Sequence, residues 1–209
     1  LEKNVFITFE GVEGCGKSTI AQIVHKRLLN LGYPVLLTRE PGGVKISEKI
    51  RKIILDKENT NLDHRCEALL FAASRRQHLV EKVRPALKEG KIVLCDRYID
   101  SSLAYQGGGE GVGVDEVLRI NLFAIENTFP DITFLLDIDP QLGLQRINDS
   151  KNREVNRLDL ESIKFYDTVR KTFLELSEKY KERYIVIDAS KSIDVIAEEV
   201  LDKILQKLQ

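Results

Sequence analysis

Residues 11 to 18 read Gly11-Val-Glu-Gly-Cys-Gly-Lys-Ser18, a G-x-x-x-x-G-K-[ST] pattern. Each residue type in it has a chemical reason. Glycines let successive backbone N–H groups turn inward around phosphate oxygens. The lysine can reach the β- and γ-phosphates, and the following hydroxyl can ligate Mg²⁺. The backbone of Gly11, Val12, Glu13, Gly14, Cys15 and Gly16, with Lys17, Ser18 and Thr19, is therefore the candidate site for ATP, and Mg²⁺ is the implied cofactor. A strand-like run, Val5 to Phe9, precedes the pattern and a helical one follows it to about Leu31. That context makes the pattern credible. A chance match in a chain of ordinary composition is on the order of 1%.

The elements that must position this loop are legible from periodicity. Short β-branched runs at Val5–Phe9, Pro34–Thr38, Ile92–Cys95, Ile132–Leu136 and Tyr184–Ile187 predict five strands. Helical spacing predicts helices over Ile46–Leu55, Asp63–Lys88, Val114–Glu126 and Leu160–Tyr180, with others opening at Pro140 and Ile193. Asp63 is the expected cap of the long helix, and Gly90 its end. Gly107 to Gly113 predicts a loop, and the polar stretch at about 148–157 a mobile lid. Alternating strands and helices imply an α/β fold of three layers, a parallel five-stranded sheet flanked by helices. With no repeat and no linker, residues 1–209 are expected to form one domain.

Bulk composition narrows the class. The 209 residues are 43% hydrophobic and 31% charged with a net charge of −1, which argues against nucleic acid or an anionic membrane as the main partner. The three cysteines lack metal-ligand spacing, and no charged-then-apolar leader precedes the first strand. A reduced, cytoplasmic protein is the expectation. His25, His64 and His78 have no spacing suited to a metal or a nucleophilic triad and are expected to be structural or solvated.

Four further segments carry a resemblance. Phe9-Glu-Gly-Val-Glu-Gly-Cys-Gly-Lys-Ser-Thr19, Thr38-Arg-Glu-Pro-Gly-Gly43, Asp96-Arg-Tyr-Ile-Asp-Ser-Ser-Leu-Ala-Tyr-Gln106 and Asn156-Arg-Leu-Asp159 together resemble bacterial thymidylate kinases, nearest to those of Gram-positive type. The likeness runs in order from Val5 to about Asp188, and the Asp-Arg-Tyr segment is far more specific than the phosphate loop. It implies the three-layer P-loop kinase fold with a lid, phosphoryl transfer from ATP to dTMP, and a homodimer packed through long helices. The competing readings are a P-loop kinase of another nucleoside monophosphate or of a deoxynucleoside, and a GTPase-type switch. The switch class usually carries an Asn-Lys-x-Asp motif, which this sequence lacks.

The residues also suit such chemistry directly. An anionic acceptor must be held in line with the γ-phosphorus against mutual repulsion, so positive charge is needed around both phosphates. Arg97 directly follows the third strand, at the carboxyl end of the sheet where ligands bind in such folds. Arg51 lies on the helix after the Arg-Glu-Pro-Gly-Gly loop, which contains Pro41. The resemblance implies that Arg97 and Arg51 clamp the acceptor phosphate, a role that bidentate guanidinium geometry fits. Phe71 and Arg75 share a helix face. The resemblance implies Phe71 against the thymine ring and Arg75 toward a base carbonyl. It implies the Tyr105 ring where a ribose 2′-OH would project, and Gln106 with Ser101 or Ser102 near the base. Glu13 is implied to accept from the 3′-OH. Asp96 is assigned to the Mg²⁺ and phosphate network through water, beside Ser18. In one arrangement of the family an arginine within the phosphate loop meets the transferred group; here that position is Gly14. The resemblance therefore implies a lid arginine, Arg153 or, next in line, Arg157. Arg146 is expected to stack on adenine.

Overall fold

The computed structural model describes residues 4–149 and 162–208. Five parallel strands form one sheet in the order β2-β3-β1-β4-β5: β1 is Phe6–Glu10, β2 Val35–Arg39, β3 Ile92–Asp96, β4 Ile132–Asp137 and β5 Tyr184–Asp188. Each predicted strand is present and runs one residue further than its apolar stretch. The added residues, Glu10, Arg39, Asp96, Asp137 and Asp188, are all charged. Polar groups thus line the carboxyl edge, where α/β folds bind ligands. The central strand β1 is wholly buried, and Phe9 stacks on Phe134 with centroids 5.7 Å apart.

Helices flank the sheet: α1 Lys17–Asn30, α2 Lys45–Leu55, α3 His64–His78, α4 Arg84–Lys88, α5 Ile99–Ser102, α6 Val114–Ile125, α7 Pro140–Asp149, α8 Ile163–Lys179 and α9 Ile193–Leu208. Asp63 caps α3 as expected, its Oδ1 accepting from the Cys66 amide at 3.0 Å. The expected helix over 63–88 runs through, but with a wider π-helical turn at Leu79–Val83. Pro85 explains it: the ring lacks an N–H and crowds the carbonyl four residues earlier, and a wide turn absorbs both. Gly90, with φ 78°, ends the run.

Two expectations need correction. Gly107–Gly109 are not loop; they close a π-helical stretch, Leu103–Gly109, that continues α5. These glycines serve close packing. A Cβ at Gly108 would collide with Thr172, and one at Gly109 would sit 2.6 Å from the Phe165 ring, both on α8. The lid does not begin at 148, because Asn148 and Asp149 complete α7. The rest of the expected lid, including Arg153 and Arg157, lies outside the described residues.

Candidate active site

A cleft of about 1270 Å³ opens along the carboxyl edge of the sheet. Its floor is the loop between β1 and α1. Gly11, Gly14 and Gly16 have φ of 139°, 76° and 93°, where side chains are strained. At Gly14 a Cβ would also strike the Gly143 carbonyl, and one at Gly143 the Glu13 carbonyl. The loop and α7 therefore touch backbone to backbone. Gly16 caps α1 without a side-chain acceptor, and the first turn carries no acid. The orphan N–H groups there, with the helix dipole, favour an anion.

Lys17 is buried in this loop. Its Nζ donates to the carbonyls of Gly11 (3.0 Å) and Val12 (2.9 Å) and to Cys15 Sγ (3.4 Å). The Ser18 hydroxyl donates to Asp96 Oδ2, joining α1 to the end of β3. A hydroxyl and a carboxylate at the phosphate end of the cleft are oxygen donors that suit Mg²⁺. No group of three or more His, Cys, Asp or Glu is gathered for a metal among the described residues. A P-loop Mg²⁺ takes most of its ligands from phosphate and water, so this pair fits.

Arg97 is the junction of the site. It holds a left-handed backbone, φ 69°, with its amide donating to Phe9 O at 3.0 Å. Its Nη2 pairs with Glu13 Oε1 at 2.5 Å and reaches the Tyr105 hydroxyl at 3.3 Å. Its Nη1 donates to Ser101 Oγ (3.1 Å) and to Gly11 O (3.2 Å). Burial disfavours the guanidinium charge, but the carboxylates of Glu13, Asp96 and Glu10 and the Tyr105 phenol outweigh it and raise its pKa well above the usual range. Lys17 and Arg97 thus share one acceptor, the Gly11 carbonyl.

The opposite wall is the β2–α2 loop. Arg39 and Arg51 both donate to the Pro41 carbonyl, at 2.8 and 3.0 Å. Glu48 accepts from Arg39 and from the Gly43 amide, which together hold its pKa below the usual value against partial burial. Glu13, Pro41, Arg51 and Phe71 line the cleft, as do Arg97, Ser101, Tyr105 and Gln106. Gly14, Gly16, Lys17, Ser18, Thr19 and Asp96 line it too, whereas Gly11, Val12 and Cys15 do not. A second hollow of about 400 Å³ lies between the phosphate loop and residues 190–193. Arg146 borders both spaces and donates to the Ala189 carbonyl at 2.9 Å.

Two residues expected at the base stand elsewhere. Arg75 is 1% exposed and does not line the cleft. All five of its N–H groups are used, on Glu40, Tyr98 O, Asn121 and twice on Ser102 Oγ. Ser102 is accordingly at Arg75, behind the wall. His78 is structural, bridging Thr38 Oγ1 and Glu40 Oε1 at 2.7 and 2.8 Å. Sequence reasoning missed Arg39 and Glu40, although both stand in the Thr38–Gly43 segment it singled out. It also missed Glu10, one residue before the glycine loop.

A glycine cradle after the first strand of a parallel sheet, facing an arginine-lined hollow, defines a P-loop nucleotide-binding protein with room for a second anionic substrate. The comparisons narrow that class. The family model described as thymidylate kinase matches residues 9–200. The thymidylate kinase of Geobacillus sp. (strain WCH70) is 52% identical over 207 residues, covering 99% of each chain. That of Clostridium novyi (strain NT) is 54% identical over 200 residues, 96% of this chain and 98% of the other. The crystal structure of thymidylate kinase from Ehrlichia chaffeensis superposes with a TM-score of 0.77 at 36% identity, covering 97% of this chain and 98% of that one. The chain belongs to the thymidylate kinase family.

Proposed function

We propose that the protein phosphorylates dTMP to dTDP with ATP, by direct in-line transfer and without a covalent enzyme intermediate. The observation that carries this reading is the shared Gly11 carbonyl. It anchors Lys17, the cation suited to the donor phosphates, and Arg97, the cation suited to the acceptor, at 3.0 and 3.2 Å. Two anions drawn to these cations are brought against each other despite their repulsion, and positioning then supplies most of the catalysis.

The chain's own groups divide the work. The N–H groups of the Gly11–Ser18 loop hold the donor phosphates. Mg²⁺, when bound through Ser18 and the water network of Asp96, would neutralise charge on those phosphates. Arg97 and Arg51, joined by Arg39, take the acceptor phosphate, exchanging the Glu13 carboxylate and the Pro41 carbonyl for phosphate oxygens. Glu13, once released, is placed to accept from the 3′-OH. Phe71 stacks on thymine, Gln106 meets its edge, and the Tyr105 ring, which lines the cleft, stands where a 2′-OH would project. A bond from Arg75 to the base requires one of its two Ser102 contacts to be exchanged. Gly14 has no room for a side chain, so the arginine meeting the transferred group comes from the lid, with Arg153 first and Arg157 second in line. Arg146 stacks on adenine in the second hollow.

The enzyme acts as one cytoplasmic domain, and its three cysteines are free. No helix among the described residues is long and apolar enough to cross a membrane. Leu69 on α3 and Phe123 on α6, 56% and 89% exposed on two packed helices, supply a face for a homodimer. ADP release measured across a panel of monophosphates tests the reading. Turnover with dTMP well above UMP is expected. Equal rates would defeat the specificity, and tight ATP binding without any turnover would favour a switch.

A further inference from the structure

Glu10, the last residue of β1, is fully buried and does not line the cleft. Its Oε1 accepts from the Tyr98 amide at 2.8 Å, and its Oε2 from Ser101 Oγ at 2.5 Å. Both partners follow the strained residue that presents its guanidinium to the cleft, one and four positions after Arg97. We propose that Glu10 is a positioning residue for the acceptor phosphate, holding the Arg97 guanidinium in place through the Tyr98 amide and the Ser101 hydroxyl.

The backbone part of the argument concerns residue 97. A non-glycine residue at φ 69° persists only where its surroundings over-determine it. Here β1 fixes it from both sides: Phe9 O accepts from the Arg97 amide at 3.0 Å, and Glu10 accepts from the next amide along.

The side-chain part concerns proton direction. An ionised carboxylate only accepts. Ser101 must therefore donate to Glu10, which leaves its oxygen lone pairs for Arg97 Nη1, 3.1 Å away. An amide in place of the carboxylate would offer Ser101 an N–H, and the hydroxyl would lose this fixed polarity. The charge is held at a disadvantage. Burial and the neighbouring Asp100 carboxylate both raise the Glu10 pKa, and Arg183 is committed to Asp100 at 2.7 and 2.8 Å. Among the described residues Glu10 makes no such direct pair with a cation; its link to Arg97 runs through Ser101. A carboxylate that stability alone would replace by an amide is explained if its polarity serves Arg97.

The inference rests on the reading that Arg97 meets the acceptor phosphate. The test is steady-state kinetics on Glu10→Gln, Ser101→Ala and Arg97→Ala, with dTMP and ATP varied separately and thermal unfolding followed at pH 8. Glu10→Gln is expected to raise KM for dTMP about tenfold, as for one charge-assisted hydrogen bond, to leave KM for ATP within about twofold, and to melt no lower than the parent. Ser101→Ala, which keeps Glu10, is expected to move KM for dTMP in the same direction. An unchanged KM for dTMP in Glu10→Gln, or equal losses for both substrates, overturns the proposal. Should Glu10→Gln fail to fold, an unchanged KM for dTMP in Ser101→Ala overturns it instead. If Arg97→Ala itself leaves KM and kcat for dTMP unmoved, the assignment of the acceptor site has failed, and not the role of Glu10 alone.

Discussion

The wall proposed for the acceptor is fixed from behind by buried charge, whereas the loop proposed for the donor is fixed largely by its own backbone. On the acceptor side, Arg75 and His78 grip Glu40 at the mouth of the β2–α2 loop, and Glu10 with Ser101 grips Arg97. On the donor side, glycines at positive φ, the carbonyls around Lys17 and the Gly14–Gly143 contact set the geometry. The physical reason lies in the ligands. A phosphate chain presents many equivalent oxygens and can be met by backbone N–H groups. One monophosphate joined to one particular base must be met by side chains at fixed distances, and these need support behind them. The acceptor half should therefore be fragile to single side-chain deletions, and the donor half, Lys17 apart, far less so.

The largest effect expected is at Arg75. Removing it leaves the Glu40 carboxylate, 4% exposed, without its guanidinium and takes the Arg75 donor from Asn121 Oδ1. Arg75→Ala should destabilise the fold by about 3–5 kcal/mol, as for breaking one side of a buried pair, measured by urea unfolding. A loss under about 1 kcal/mol would mean that the wall does not depend on this support. Arg97→Ala should spare stability more but reduce kcat/KM for dTMP by roughly 2–5 kcal/mol of transition-state stabilisation. A near-normal enzyme would break the comparison outright.

Glu10 sharpens the contrast through pH. Burial first, and then Asp100, raises its pKa from 4.5 to about 7. The folded state then holds a proton between pH 4.5 and 7 that the unfolded chain has already released. The resulting stability is fully present below pH 4.5 and is lost as pH rises through 7. At about 1.4 kcal/mol per unit, this slope amounts to something on the order of 3 kcal/mol. Glu10→Gln should abolish it and melt higher than the parent at pH 8. Parallel melting curves for the two proteins from pH 5 to 8 would show that the carboxylate is not strained. Gained stability with weakened dTMP binding would mark a site that trades one for the other.

How much of this was legible in the sequence follows the same divide. The donor loop could be read directly, because its chemistry lies in consecutive residues whose spacing is the mechanism. All five strands were legible because β-branched runs between glycines and caps leave few alternatives. The residues proposed for the acceptor, from Phe71 to Gln106, were reached mainly through resemblance, but what holds them was not. Asn121 and Ser102 meet Arg75, and Arg183 meets Asp100, across 46, 27 and 83 residues of chain, and no local pattern records such meetings. Gly107–Gly109 misled for a related reason. Glycine signals a turn when only the local chain is considered, yet here the missing Cβ admits α6 at Gly107 and α8 at Gly108 and Gly109.

The smallest effect is expected at Arg146. Its guanidinium is tied to the carbonyls of Ala189 and Ser190 at 2.9 and 3.4 Å, and it leaves no buried charge behind when removed. One face of a stacked base is worth about 1 kcal/mol, so Arg146→Ala should raise KM for ATP about fivefold and leave KM for dTMP alone. The loop would still hold the phosphates through N–H groups that no side-chain substitution removes. A loss as large as that at Arg97 would show that the donor half depends on a further side chain besides Lys17. The difference between the walls would then lie in which residues are buried, and not in how each substrate is held.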